Sequence, residues 1–232
     1  AFAAFVGNCT DDAEGSRSQA FKLYGTTVHV DGTVDVSETI DVAFAEGAYE
    51  KPVEISITGG TLSGGSSARI FTVGNAASMN FSAMLFSNGS AVGGNGGAIS
   101  LESPTAKVCA DNCTFSGNTA NNGGAIHVGA GLMTAVNCAF TGNIAQKCGG
   151  SINAEGSSAT VFLNKCKLSG NKAGDWGTAV NIESGSTFAA NGSVFYGNVS
   201  SGSNLSKTIG IGDINRRTTV YLLWIPALIL PL

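Results

Sequence analysis

The sequence predicts an all-β chain wound as a solenoid, a right-handed parallel β-helix of about six coils, because one short unit recurs at a period in the twenties. Three observations carry this. The stretches CTFSGNTANNGGAIHV from Cys113, CAFTGNIAQKCGGSINA from Cys138, CKLSGNKAGDWGTAVNI from Cys166 and the partial SVFYGNVSSG from Ser193 share a pattern. Each has an aromatic residue or Leu, a Gly-Asn pair, and then, in the full copies, a Gly-rich turn before an apolar strand. A degenerate copy, AMLFSNGSAVGGNGGAISL, starts at Ala83. Read on Asn88, Asn118, Asn143, Asn171 and Asn198, the copies step by 30, 25, 28 and 27 residues. Second, 33 Gly and 19 Asn against 4 Pro describe many tight turns rather than helices. Third, charge is scarce. Only 28 of 232 residues are Asp, Glu, Lys or Arg, and a net charge of −4 provides no basic footprint for nucleic acid.

Four segments follow in order. Residues 1–20 open with AFAAFVGNC and turn polar; the apolar opening is too short for a signal peptide with a defined cleavage site. Residues 21–82 hold N-terminal coils and a cap. There Thr27–Asp31, Thr33–Val36 and Val53–Ile57 alternate apolar and polar, as strands with one buried face do. Residues 83–200 are the repeat itself. For the coil near Cys113 strands are expected over Asn112–Phe115, Ala125–Val128 and Met133–Val136, pairing in parallel with their copies one period on. Residues 201–232 form a non-repeat apolar tail ending in VYLLWIPALILPL. This run is shorter than the ~18 to 20 residues of a membrane helix and carries Pro226 and Pro231. It is read as a mis-spliced or frameshifted tail, a cap on the open end of the solenoid, or the start of a truncated membrane segment.

Within the repeat, Phe115, Phe140, Leu168 and Phe195 are expected to stack in the core. Gly117, Gly142, Gly170 and Gly197 suit turns with positive φ, and Asn88, Asn118, Asn143, Asn171 and Asn198 suit a ladder of stacked amides that tolerates the αL conformation. Cys113, Cys138 and Cys166 share a column of small residues with Ala83 and Ser193, most simply a ladder of buried thiols, with a bridge inside it as the alternative. Cys9, Cys109 and Cys148 lie off that column and are better placed to pair in an oxidising compartment. Seven glycosylation sequons occur, two of them at Asn88 and Asn198 in the repeat column, where burial would shield them.

These motifs resemble those of the chlamydial polymorphic outer membrane proteins and related pectin-lyase-like β-helices. The F-x-x-N motif stands as Phe115–Asn118, Phe140–Asn143 and Phe195–Asn198, with Leu85–Asn88 and Leu168–Asn171 as Leu variants. The GGA-[ILV] motif stands at Gly96-Gly97-Ala98-Ile99 and Gly123-Gly124-Ala125-Ile126, and decays to Gly149-Gly150-Ser151-Ile152 and Gly177-Thr178-Ala179-Val180. The resemblance implies an autotransporter passenger displayed at the cell surface or secreted, in the outer membrane context, with adhesion as the role of some members.

For chemistry, one column stands out. Glu102, Glu155 and Glu183 follow the GGAI-type strand at the same place, with Gly129 in the gap, so that neighbouring carboxylates lie about 5 Å apart. The simpler reading has them ending strands in solvent. With no second carboxylate cluster and scattered basic residues, no glycosidic-bond cleavage is expected, and polysaccharide binding or cleavage is the runner-up. His29 and His127 are isolated, so no metal is assigned, and no cofactor is expected. Trp176, read as replacing the first Gly of its turn, could stack on a ligand. The expected function is a non-enzymatic surface adhesin. Its contacts with an extracellular protein or glycan would come from the turns at Asn121-Asn122, Gln146–Cys148 and Asp175-Trp176. A purely structural envelope role is the other alternative, and membrane contact is expected only through an anchor.

Overall fold

The computed structural model describes residues 26–45, 53–183, 185–201, 209–211 and 219–223. Residues 1–20, with Cys9, lie outside them. Among the described residues every element is a strand, and the strands stack in parallel as a solenoid of about six turns. Three sheets run along its length. The seven-stranded one is the most regular: Thr33–Asp35, Thr61–Ser63, Leu85–Ser87, Thr114–Ser116, Ala139–Thr141, Lys167–Ser169 and Val194–Tyr196, each paired with its copy one coil on.

The inward residue of each of these strands falls in one column: Val34, Leu62, Phe86, Phe115, Phe140, Leu168 and Phe195. Phe86, Phe115 and Phe140 are fully buried and stack with centroids 4.8 Å apart at each step, nearly parallel. Offset aromatic pairs of this kind add about 0.5–1.5 kcal/mol to their area burial. The coil spacing sets that distance, so one aromatic per rung is enough to build the stack.

This register corrects the first copy by one residue. Phe86, not Leu85, stands above Phe115, and Leu85 pairs with Thr114. Asn88 therefore occupies the place of Gly117, not of Asn118. It holds φ 51°, beside Gly117 at 64°, Gly142 at 63°, Gly170 at 64° and Gly197 at 62°. Asn and Gly are the residues that enter αL at least cost, so the Gly-Asn order can invert to Asn88-Gly89 without changing the turn. Asn88 is exposed rather than buried. The same shift puts Met84, not Ala83, at the head of the cysteine column; Ala83 takes an αL corner shared with Asn112, Asn137 and Lys165.

Of the expected strands around Cys113, the first starts later, at Thr114–Ser116 past the corner at Asn112, and the other two are joined. Ile126–Val136 is one strand, as is Ile99–Asp111, whereas the next two coils break at the same corner into Ile152–Ala154 plus Ala159–Asn164 and Val180–Ile182 plus Thr187–Asn191. A third sheet, built from Ser90–Asn95, Thr119–Asn122, Ile144–Ala145, Lys172–Ala173 and Val199–Ser200, has no counterpart in the expected strands. Its backbone closes over Gly97, Gly124 and Gly150: a Cβ on Gly124 would lie 2.2 Å from the Gly150 carbonyl oxygen and 2.7 Å from the Ile144 nitrogen. Within the apolar run at the end of the sequence, Thr219–Leu223 pairs in parallel with Thr187–Asn191. No helix among the described residues is long and apolar enough to cross a membrane.

Candidate functional site

The asparagine ladder is closed on itself. Nδ2 of Asn118 donates to the Phe86 carbonyl (3.1 Å) and to Oδ1 of Asn143 (3.0 Å), which also accepts the Asn118 backbone N–H. Asn143 repeats these bonds to Phe115 and Asn171, and Asn171 to Phe140 and Asn198. At the first rung the Gly89 N–H reaches Oδ1 of Asn118. Asn118, Asn143 and Asn171 are fully buried with both amide groups used. The ladder is structural, and it is not left-handed: the αL residue is the Gly before each Asn.

The cysteine column is also interior. Cys113, Cys138 and Cys166 are buried free thiols. The Cys113 N–H donates to Sγ of Cys138 (3.4 Å), and the Cys138 thiol sits 3.2 Å from the Val136 carbonyl. Bonds from the two flanking thiols, then burial, push the Cys138 thiol up. Cys109 and Cys148 are free thiols as well, Cys109 exposed and Cys148 half-buried.

A second polar column lies on the other face of the strands that carry Ile99, Ile126, Ile152 and Val180. Alternation places Ser100, His127, Asn153 and Asn181 in register there, with Thr72 before them. All four are buried. Nδ2 of Asn181 donates to Oδ1 of Asn153 (2.8 Å), and Nδ2 of Asn153 meets Nδ1 of His127 (3.3 Å). At the head of the column the Arg69 guanidinium bonds Thr72, the Asn95 carbonyl and the Gly96 carbonyl. Burial pushes the His127 imidazole below its ordinary range; the charges of Glu155 and Glu102 oppose this and Arg69 adds to it.

The glutamates flank this column. Glu155 and Glu183 follow it on neighbouring coils, their backbone N–H groups bonding Val128 and Ala154. Nδ2 of Asn153 reaches Oε2 of Glu155 and Nδ2 of Asn181 reaches Oε1 of Glu183, both at 3.5 Å. Burial first, then the Glu155 charge, raises the Glu183 carboxyl. Glu102 departs from the expected column: an irregularity after Leu101 pairs it with Ala130, and the Ser100 hydroxyl binds its Oε1. The floor between the glutamates, Ser100-His127-Asn153-Asn181, was not legible as a site because the residue type changes at every rung but the last. The available signal was position, one residue after the Ile or Val of every GGA-[ILV] motif.

The three variable turns align into one ridge. Gln146 and Lys147 N–H groups bond Ala120 and Asn121, and Asp175 N–H bonds Lys147. Asn95, Asn122, Cys148 and Trp176 follow one another rung by rung, joined by Asn122 to Asn95 (3.1 Å) and the Cys148 N–H to Asn122 (3.2 Å). Trp176 therefore precedes the turn glycine instead of replacing it, since Gly177 (φ 61°) keeps the place of Gly123 and Gly149. Trp176 is 46% exposed, enough to meet a partner. A separate cleft of about 540 Å³, lined by Ser37, Glu38, Ser67, Arg69, Ser90 and Val92, opens near the first coils. No group of three or more His, Cys, Asp or Glu among the described residues is arranged to hold a metal ion.

A repeated parallel rung, an interior amide ladder and turns aligned along one edge define a β-solenoid repeat protein. Residues 112–129 match the family model of the Chlamydia polymorphic membrane protein repeat. That span runs from Asn112 through Phe115–Asn118 and Gly123–Ile126, so the resemblance carried by the two tetrapeptides holds over these residues. No curated protein and no solved structure matches the chain.

Proposed function

We propose that the chain is a non-enzymatic, surface-displayed solenoid of the autotransporter-passenger kind, which attaches to an extracellular partner through the ridge of turns from Asn121-Asn122 to Asp175-Trp176. The observation that supports this most is the stacking of those turns. Each uses its backbone to bond the turn below and leaves Gln146, Lys147, Asp175 and Trp176 exposed. A rigid array of this form varies its side chains without disturbing its coils, which suits extended binding surfaces. The polymorphic membrane protein repeat supports the surface location.

The test is attachment of cultured epithelial cells to beads coated with the full chain. Coated beads should bind severalfold more cells than bare ones, and a Lys147→Glu, Trp176→Ala double variant should lose most of that gain. Because the backbone of Gln146–Cys148 is used by the ladder, substitution is the informative change and deletion would unpair the neighbouring coils. Equal attachment by coated and bare beads rejects the proposal.

A further inference from the structure

The polar column contains one unmatched donor, and it faces a gap. His127 is only 4% exposed. Its Nδ1 faces an amide nitrogen of Asn153, whose orientation is fixed because its oxygen accepts from Asn181. Nδ1 is therefore the acceptor, and the neutral ring carries its proton on Nε2. The described residues make no hydrogen bond to Nε2, which is not among the fully enclosed polar atoms that lack a partner and so opens to solvent at this corner. This Nε2 lies 3.2 Å from the point where a Cβ on Gly129 would be. Gly129 stands where the next two rungs have Glu155 and Glu183, so the corner lacks a side chain at the one rung whose column residue has a proton to offer.

The notch has acceptors on both sides. Glu102 acts electrostatically on His127 and spends Oε1 on the Ser100 hydroxyl. Glu155 also acts on His127 and spends Oε2 on Asn153. Each keeps a second carboxylate oxygen. A guest here must accept one hydrogen bond from the imidazole and donate at least one to a carboxylate. An ammonium group cannot accept, and a carboxylate, sulfate or phosphate would meet two negative charges. A hydroxyl group does both. The carboxylates of Glu155 and Glu183, on successive coils, continue the acceptors along the axis at the coil spacing of about 4.8 Å, so the surface repeats on the scale of a polymer of hydroxylated rings.

We propose that the Gly129 notch, with His127, Glu102 and Glu155, is a subsite for a hydroxyl group of an uncharged glycan lying along the solenoid axis. This names a partner class for the surface protein proposed above and rests on that reading only for where the glycan would be met. Binding itself is a property of the folded chain.

The experiment is a glycan array probed with the full chain, carrying neutral, N-acetylated and acidic oligosaccharides, followed by calorimetric titration of the strongest binder. An uncharged glycan should bind. Gly129→Gln, which fills the notch, should weaken it at least about tenfold with unchanged thermal stability, in keeping with the loss of hydrogen bonds to a carboxylate and to the imidazole. Glu155→Gln, a change at an exposed position, should also weaken it and serves as the readout if Gly129→Gln does not fold. The proposal is overturned if no uncharged glycan binds, if acidic glycans or a Lys-rich peptide bind in preference, or if the variants that fold bind as the parent does. Cell attachment that survives Gly129→Gln while array binding is absent removes the subsite and leaves the adhesive reading standing.

Discussion

The solenoid contains two columns of stacked polar side chains, and they are built on opposite rules. In the ladder of Asn118, Asn143, Asn171 and Asn198 every rung has the same residue and its bonds repeat at 2.8–3.1 Å. In the column of Ser100, His127, Asn153 and Asn181 every rung but the last changes residue, the glutamates beside it repel, and an imidazole donor is unmatched. Both columns are buried except at Asn198, which is half-buried. Repetition of the residue marks a column that holds the coils together, whereas burial with variation marks one whose chemistry can be altered rung by rung.

The largest expected effect breaks the first column. Asn143→Leu keeps the branched shape but strands the Phe115 carbonyl and the backbone N–H of Asn118, costing on the order of 3 kcal/mol or more. Denaturant unfolding measures this, and a loss below about 1 kcal/mol would show that the ladder does not brace the coils. Next, Phe115→Ala should cost about 3–5 kcal/mol while Phe140→Leu should cost about 1.5 or less, because Leu168 already fills the same column one coil on. Equal costs for the two would mean that ring stacking, not volume, holds that sheet.

Smaller effects sharpen the contrast at the second column. The buried imidazole of His127 binds a proton less readily folded than unfolded, so the unfolded chain takes up more protons as pH falls below the ordinary value of 6.5. Its contribution is intact above that pH and erodes below it. A thermal melt series should show the fall, and His127→Gln should flatten it; an unchanged slope would place the acid sensitivity elsewhere. Glu183 acts in the opposite sense. Its raised carboxyl binds a proton more readily in the folded chain, so it favours folding below the ordinary 4.5 and that advantage is lost as pH rises. Glu183→Gln should therefore raise the melting temperature slightly at pH 7, by under about 1 kcal/mol of stability given its exposure, and leave it unaltered at pH 4. A drop at pH 7 would mean that its bond to Asn181 outweighs the repulsion from Glu155.

Much of the first column could be read from the chain, because identical residues at a near-constant step are visible without coordinates. The misreading of its first rung has a physical cause. Leu85 and Phe86 are both apolar and Asn88-Gly89 inverts the usual pair, so the letters matched one residue early while the backbone required an αL residue at Asn88. The second column was hidden for the complementary reason. Glu155 and Glu183 were found by type, but Ser100, His127 and Asn153 share only position, and the change at Leu101 that displaces Glu102 leaves no trace in spacing.

Each ladder asparagine presents the same two donors toward one neighbour and the same oxygen toward the other. A rung's upper bonding pattern therefore complements its lower one, and along this ladder a whole unit can be inserted or removed with the seam bonded as the joints it replaces. The gene can thus change the length of the protein by unequal recombination between copies, one coil at a time, without first evolving a new interface.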